Sequence, residues 1–181
     1  MHLNPYGRDA VLLAADLANH PPDTPAELER RCRTAGLAVE RAVTGDDLER
    51  AREVLARWVR MVDTPGPPER AALVNDLLAE FCEHPRLTDH VGDGWHLHFR
   101  EHDLPVGRVL GSLVAMGTAL HLANRGMHRL GRYAVEDCPR VFADVSRTGR
   151  QRYCATTCAN RDAVRRHRAA TARMTRVPRL R

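Results

Sequence analysis

The chain has 181 residues, 43% hydrophobic and 28% charged, as expected for one globular domain with a small appendix. Aromatics make up 4%, so the core must rest on Leu, Val and Ala, which favours helix over sheet. All 28 basic residues are arginine, and they are unevenly placed: residues 129–181 hold 14 arginines against 4 acids, a net of +10, while the first 128 residues hold 14 against 19, a net of −5. An acidic body with a basic end points to a scaffold whose C-terminal part faces nucleic acid.

In chain order, RDAVLLAADLAN (8–19) is a short apolar helix stopped by His20-Pro21-Pro22. Thr24-Pro25-Ala26-Glu27 starts a second helix, with Thr24 as cap, Pro25 in the first turn and Glu27 closing a capping box; Gly36 ends it. A third helix runs from Thr44-Gly45-Asp46-Asp47 to about Val62, with Leu48, Val54, Leu55, Trp58, Val59 and Val62 mostly on one stripe. Pro65-Gly66-Pro67-Pro68 breaks the chain, and a fourth helix covers about 68–83. Val91-Gly92-Asp93-Gly94 reads as a turn into the strand WHLHFR (95–100), with Trp95, Leu97 and Phe99 on one face and His96 and His98 on the other. A central helix over about 104–124 is apolar on most faces and carries Gly107, Gly111, Ala115 and Gly117, small enough to let neighbours pack close.

The stretch VLGSLVAMGTALHLA (109–123) falls short of the roughly 20 residues a membrane span needs. The opening MHLNPYGRDA lacks the pattern of a secretory signal. A cytoplasmic protein without a membrane segment is therefore expected, and in a reducing compartment five cysteines point to metal or packing rather than a disulfide framework. Cys32 and Cys82 fall within helical patterns and read as packing residues.

After Gly126 the basic module begins. LGRYAV and RVFADVS are strand-like, with Cys138-Pro139 at the turn between them. CATTCANRDAVRRHRAATARM is a knuckle leading into a helix of about 160–173, and the last residues TRVPRLR form a frayed end. Cys154 and Cys158 make a C-x3-C pair, with Cys138 on the preceding hairpin. Closely spaced cysteines at a turn followed by a basic helix is how small zinc modules are built to sit on nucleic acid. A structural zinc site takes four ligands, and only three cysteines stand here. Three readings are open. One zinc ion is held with a substitute fourth ligand, such as His128, Asp137, His167, His96 or His98. Alternatively, zinc is held by three thiolates with water in the fourth place, a reactive site able to sense oxidants or ligands. In the third, the metal is lost and the cysteines are simply buried.

On the last helix Arg161, Arg165, Arg168 and Ala172 share one face, with Arg166 and Arg173 on a neighbouring stripe. Val164, His167 and Thr171 or Met174 form the expected packing side. Arg147, Arg150 and Arg152 lie in the loop before the knuckle, in reach of a phosphate backbone; Arg161 or Arg165 would read bases. An internal role competes: Arg150 or Arg161 holding carbonyls or Asp144. His96, His98, His102, His121 and His128 raise a ligand or metal pocket in the helical part, formed by His96, His98 and His121 in particular; side chains on a polar face are the plainer reading. No phosphate loop, nucleophile elbow or HExxH pattern is present. The rival class is a zinc-dependent enzyme or a redox or metal sensor using the open three-cysteine site or the histidines.

The C-terminal segment resembles bacterial proteins with a CGNR-type zinc finger, on Cys138, Val141, Phe142, Asp144, Ser146, Arg147, Arg150, Arg152, Tyr153, Cys154, Cys158, Ala159, Asn160, Arg161 and Val164. Ala159 stands for the family's glycine, and Tyr133 for its first cysteine. The preceding part is similar to the helical ABATE domain, on DLAN (16–19), TGDDLERAREV (44–54), WHLHF (95–99) and GMHRLGR (126–132). The resemblance implies a mainly α protein: an ABATE-like helical domain over 1–126 for sensing or dimerisation, then a CGNR-type β-hairpin, zinc knuckle and basic helix over 127–181. It also implies a stress-related transcriptional regulator. Taken with the basic helix and the cysteines, DNA, a small-molecule effector and a homodimer are the partners to be expected, with one zinc ion as cofactor.

Overall fold

The computed structural model of the protein describes residues 7–89, 95–101, 103–135 and 137–175. The turn at 91–94, His102, the tail beyond 175, and the side chains of Ala172, Arg173 and Met174 lie outside the described residues. The fold is mainly α: α1 Arg8–Asn19, α2 Pro25–Thr34, α3 Gly45–Asp63, α4 Pro67–Phe81, α5 Val106–Arg125 and α6 Thr156–Thr175. Two antiparallel hairpins complete it, β1 Arg86–Thr88 with β2 His96–His98, and β3 Leu130–Arg132 with β4 Val141–Ala143.

Local chemistry sets the helix starts. Thr24 Oγ1 accepts from Glu27 N at 3.2 Å, but Glu27 returns its carboxylate to Asp23 N rather than Thr24 N, so the expected reciprocal box is displaced by one residue. The complete box forms at α3, where Thr44 Oγ1 accepts from Asp47 N and Asp47 Oδ2 accepts from Thr44 N at 2.9 Å. The other Asp47 oxygen accepts from Gly107 N at 2.8 Å in the first turn of α5. One buried carboxylate thus serves two helix N-termini, where negative charge is favoured. Burial pushes this carboxyl up, and the hydrogen bonds from Gly107 and Thr44 more than reverse it, leaving Asp47 below the usual range.

α5 is the axis of the body and packs against α1, α3 and α4. Among the described residues it is the one helix long and apolar enough to cross a membrane, and most of it is buried inside the protein. Its small residues set the approach of its neighbours. A Cβ on Gly111 would overlap the Phe81 ring, and one on Gly117 would overlap Ala10 Cβ. Trp58 is fully buried and donates from Nε1 to Thr118 Oγ1 at 2.9 Å, so its polar atom is satisfied inside the core.

The β3–β4 hairpin rests on α1 and α3, and Leu130, Val141 and Ala143 belong to the main core. Asn19, at the end of the DLAN motif, acts as a strand partner for β4: Nδ2 donates to Val141 O and Oδ1 accepts from Val141 N, both at 2.9 Å. Arg70 of α4 is buried and donates to the carbonyls of Val62, Thr64, Met127 and Leu130, stitching the helices to the entry of the hairpin.

Several expectations are corrected. Both hairpin strands are shorter than the sequence suggested, and β1 was not foreseen. On β2 the apolar face is not buried: Trp95 and Leu97 are exposed, as is Leu87, the cross-strand partner of Leu97. The last helix begins at Thr156, so the second half of the knuckle is its first turn. Its expected packing side faces solvent: Val164 is 50% exposed, and His167 and Thr171 are exposed. No element packs there to shelter it among the described residues.

Candidate metal centre and nucleic-acid interface

The C-terminal module is organised around Asp144, at the end of β4. Its carboxylate accepts from Ser146 N and Gln151 N, both at 2.9 Å, and its backbone N–H donates to Arg129 O at 2.7 Å. Arg129 closes the arrangement. Its guanidinium lies 3.7 Å from Asp144, donates to Ser146 O at 2.7 Å and to Arg125 O at 3.1 Å, and all but covers Gly149, which takes φ +66°. Burial pushes Asp144 up; the bonds from Ser146 and Gln151, with Arg129 beside them, bring it below the ordinary carboxylate range. This hub holds the loop that carries Arg147 and Arg150, both exposed.

The loop delivers Cys154 to Cys138. Cys138 sits in the turn after β3, its N–H bonded to Val135 O at 2.9 Å, and Ala134 N donates to Arg152 O at 2.9 Å across the module. Cys158 lies in the first turn of α6, and Cys154 lies two residues before the helix begins. Cys138 and Cys154 sulfurs are 3.8 Å apart, Cys154 and Cys158 3.1 Å, and all three lie within 4.8 Å of one another. Tetrahedral zinc–thiolate bonds place sulfurs about 3.8 Å apart, so three soft donors fit a zinc ion here. Among the described residues, these are the one group of three or more metal-ligating side chains, and no histidine or carboxylate joins it. His128, proposed as fourth ligand, lies in the 3-10 turn Met127–Arg129 with its ring against Gly126, outside the cluster. Asp137 and His167 are outside it as well.

Tyr133 stands beside the sulfurs. Burial, then the neighbouring Cys154, push its phenol up, so it is a neutral hydroxyl near thiols; Gln151 Nε2 donates to its oxygen at 3.1 Å, and its ring leans on Phe142 at 5.2 Å. Ala159 lies inside α6, where the backbone is right-handed and the glycine of the motif is not required.

The arginines of α6 are organised by acids that spacing alone would have exposed. Asp162 is buried, accepts from Tyr153 Oη at 2.6 Å, and pairs with Arg165 at 3.2 Å and Arg166 at 3.1 Å. The Tyr153 bond and then the two arginines hold its carboxyl below the usual range. These are i,i+3 and i,i+4 pairs, legible in the sequence. Arg161 is placed otherwise: it lies 3.4 Å from Asp137 and donates to Cys158 Sγ at 3.8 Å, bridging the two ends of the cysteine cluster. Arg152 lies over the Tyr153 ring at 5.7 Å, and Arg168 is exposed on the next turn of α6. Apart from Asp162, α6 is exposed from Asn160 to Thr171.

His96 and His98 are neighbours on β2, ring centroids 4.9 Å apart, and His121 is buried on α5; among the described residues they form no group of three metal-ligating side chains. Cys32 is buried in α2, its thiol pushed up to about 11 by burial, and Cys82 sits at the end of α4 with its sulfur against Ser112. Neither belongs to the cluster.

Comparison with known families agrees with this division. Residues 129–170 match the family described as "CGNR zinc finger", and residues 12–125 match ABATE, described as "Putative stress-induced transcription regulator". No curated protein matches the chain. With most of its length matched by one family and its cysteine module by the other, the chain belongs to the ABATE family and carries a CGNR zinc finger at its C-terminal end.

Proposed function

We propose that the protein is a cytoplasmic transcriptional regulator that binds DNA through α6 and the 146–152 loop, held in shape by a single zinc ion on Cys138, Cys154 and Cys158. One observation carries the reading: α6 leaves the cysteine cluster with nearly every described side chain up to Thr171 in solvent, and Arg165, Arg166 and Arg168 stand along it. A helix that spends its arginines on an uncovered surface is suited to the major groove or the flanking phosphates. In this reading Arg147, Arg150 and Arg152 contact phosphates, Arg165 is the base reader, and Arg161 holds the module together. Residues 1–126 are the regulatory domain, receiving a small-molecule effector or a second copy of the chain. A cavity of about 330 Å³ beside the starts of α3 and α5, bordered by Arg41, Asp46, Arg50 and Arg108, offers room for such an effector.

The test is binding to duplex DNA by fluorescence anisotropy over a series of salt concentrations. Affinity falls with salt by about 0.9 log units per log unit of salt for each phosphate neutralised. Arg165→Ala with Arg166→Ala should weaken binding and reduce that slope by about 1–2. An unchanged slope, or no binding by the parent protein, removes the DNA assignment.

A further inference from the structure

Zinc completes a tetrahedron, and the cysteine cluster supplies three corners. No described His, Asp or Glu stands close enough to supply the fourth. Asp137, the nearest acid in sequence, is turned to Arg161. Tyr133 is beside the cluster, but its hydroxyl is tethered by Gln151 and its ring is drawn toward Phe142. The site is also not sealed: Cys154 and Cys158 are half-buried, and Gln151 is exposed.

Resting on the metal-binding reading above, we propose that the Cys138–Cys154–Cys158 site takes its fourth donor from solution, as the thiolate of a small thiol. Three sulfur donors make the bound metal soft, and soft centres prefer sulfur to oxygen. Two positive groups stand close enough to offset part of the charge of an added thiolate. Arg161 reaches to 3.8 Å of the Cys158 sulfur, and Cys158 sits in the first turn of a 20-residue helix, at its positive end. Tyr133, half-buried, stands beside the cluster where a thiol would bind. A bound thiol would add a fourth sulfur to those of Cys138, Cys154 and Cys158, giving up its proton to water. Cys158 lies about one helical turn before Asp162, which pairs with Arg165 and Arg166, so occupancy would be communicated to the nucleic-acid face.

Cobalt(II) loaded into the full chain in place of zinc reports the donor set by its visible spectrum. Titration with 2-mercaptoethanol should move the spectrum of the parent protein, saturably, toward that of four sulfur donors. Tyr133→Cys should show the four-sulfur spectrum without added thiol and no further response. Tyr133→Phe, which keeps the ring and guards against a variant that fails to fold, should respond as the parent does. A parent spectrum that thiol leaves unmoved overturns the inference, and a response confined to Tyr133→Phe does so by making the Tyr133 oxygen the fourth donor. Failure of the parent to take up cobalt, with uptake by Tyr133→Cys, overturns the metal-binding reading itself and is distinguishable from both.

Discussion

Two arginines tie the finger hairpin to the helical body, and the structure ranks them unequally. Arg70 is 7% exposed and donates to four backbone carbonyls, of Val62 at 2.8 Å, Thr64 and Leu130 at 3.1 Å, and Met127. Its replacement by Met leaves these acceptors short of a charged donor in a place water enters poorly, at about 1–3 kcal/mol for each one left unsatisfied. Against this stands the cost of holding a guanidinium away from water; burial lowers the Arg70 pKa, with Asp63 opposing. The net loss for Arg70→Met should be about 2–4 kcal/mol, or a fall in Tm of roughly 4–16 °C for a chain of this length. Arg132 makes the more conspicuous contact, a two-pronged pair with Asp63 at 2.7 and 2.8 Å, yet both side chains are about two-fifths exposed. Solvent screens such a pair, and Arg132→Ala should cost no more than about 1 kcal/mol. Urea unfolding followed by far-UV circular dichroism measures both. If Arg132→Ala proves the more damaging, or Arg70→Met falls within 1 kcal/mol of the parent, the account of how the hairpin is anchored is wrong.

Gly117→Val should destabilise by at least about 1–3 kcal/mol, because even a Cβ there overlaps Ala10 and α1 must move away from α5; thermal unfolding reads it. Acid should unfold the protein from about pH 4 downward. Asp47, Asp63, Asp144 and Asp162 all bind protons less readily than an ordinary carboxylate, so the folded chain carries fewer protons than the unfolded one. The stability they give is whole above the unfolded value and drains as pH falls through the folded one. Asp144→Asn should flatten that acid limb in a pH series of urea midpoints, and an unaltered limb would deny Asp144 its place at the hub.

The helical body was legible because its boundaries are punctuated: Thr24-Pro25, Thr44-Gly45 and Gly66-Pro67 each mark a start by side-chain chemistry confined to a few residues. β1 was not, since Arg86-Leu87-Thr88 has three residues, no alternation and largely exposed side chains. α6 starts earlier than the knuckle reading places it, at Thr156, because the first turn of the helix carries Cys158 while Cys154 stays outside it. Amphipathic reasoning placed Val164 inward by assuming a neighbour, and α6 has none to cover it. In the site, the three cysteines were evident from their spacing. The pairs Arg129–Asp144, Arg161–Asp137 and Gln151–Tyr133 join residues brought together only by the hairpin, and no local pattern announces them.

The charge of the C-terminal module therefore differs in kind from what its composition suggests. A net of +10 over residues 129–181 counts arginines as though all were available to a polyanion. Arg129 is committed to the Asp144 hub and Arg132 to Asp63, and Arg161 is engaged by Asp137 and a sulfur. Arg165 and Arg166 are already partly neutralised, since each pairs with Asp162 through one nitrogen and offers a phosphate only its remaining donors unless Asp162 is displaced. Asp162 cannot follow them outward, because it is buried and held by Tyr153. Its effect is to keep both guanidinium groups close to one point on the helix before any ligand arrives, which lowers the ordering cost of a contact while subtracting from its strength. Exchange of one anion for another also releases fewer counterions than fresh neutralisation does, so these two arginines belong at the lower end of the slope assigned to them. The steeper salt dependence should come from Arg147, Arg150 and Arg168, which stand exposed on the loop and on the following turn of α6.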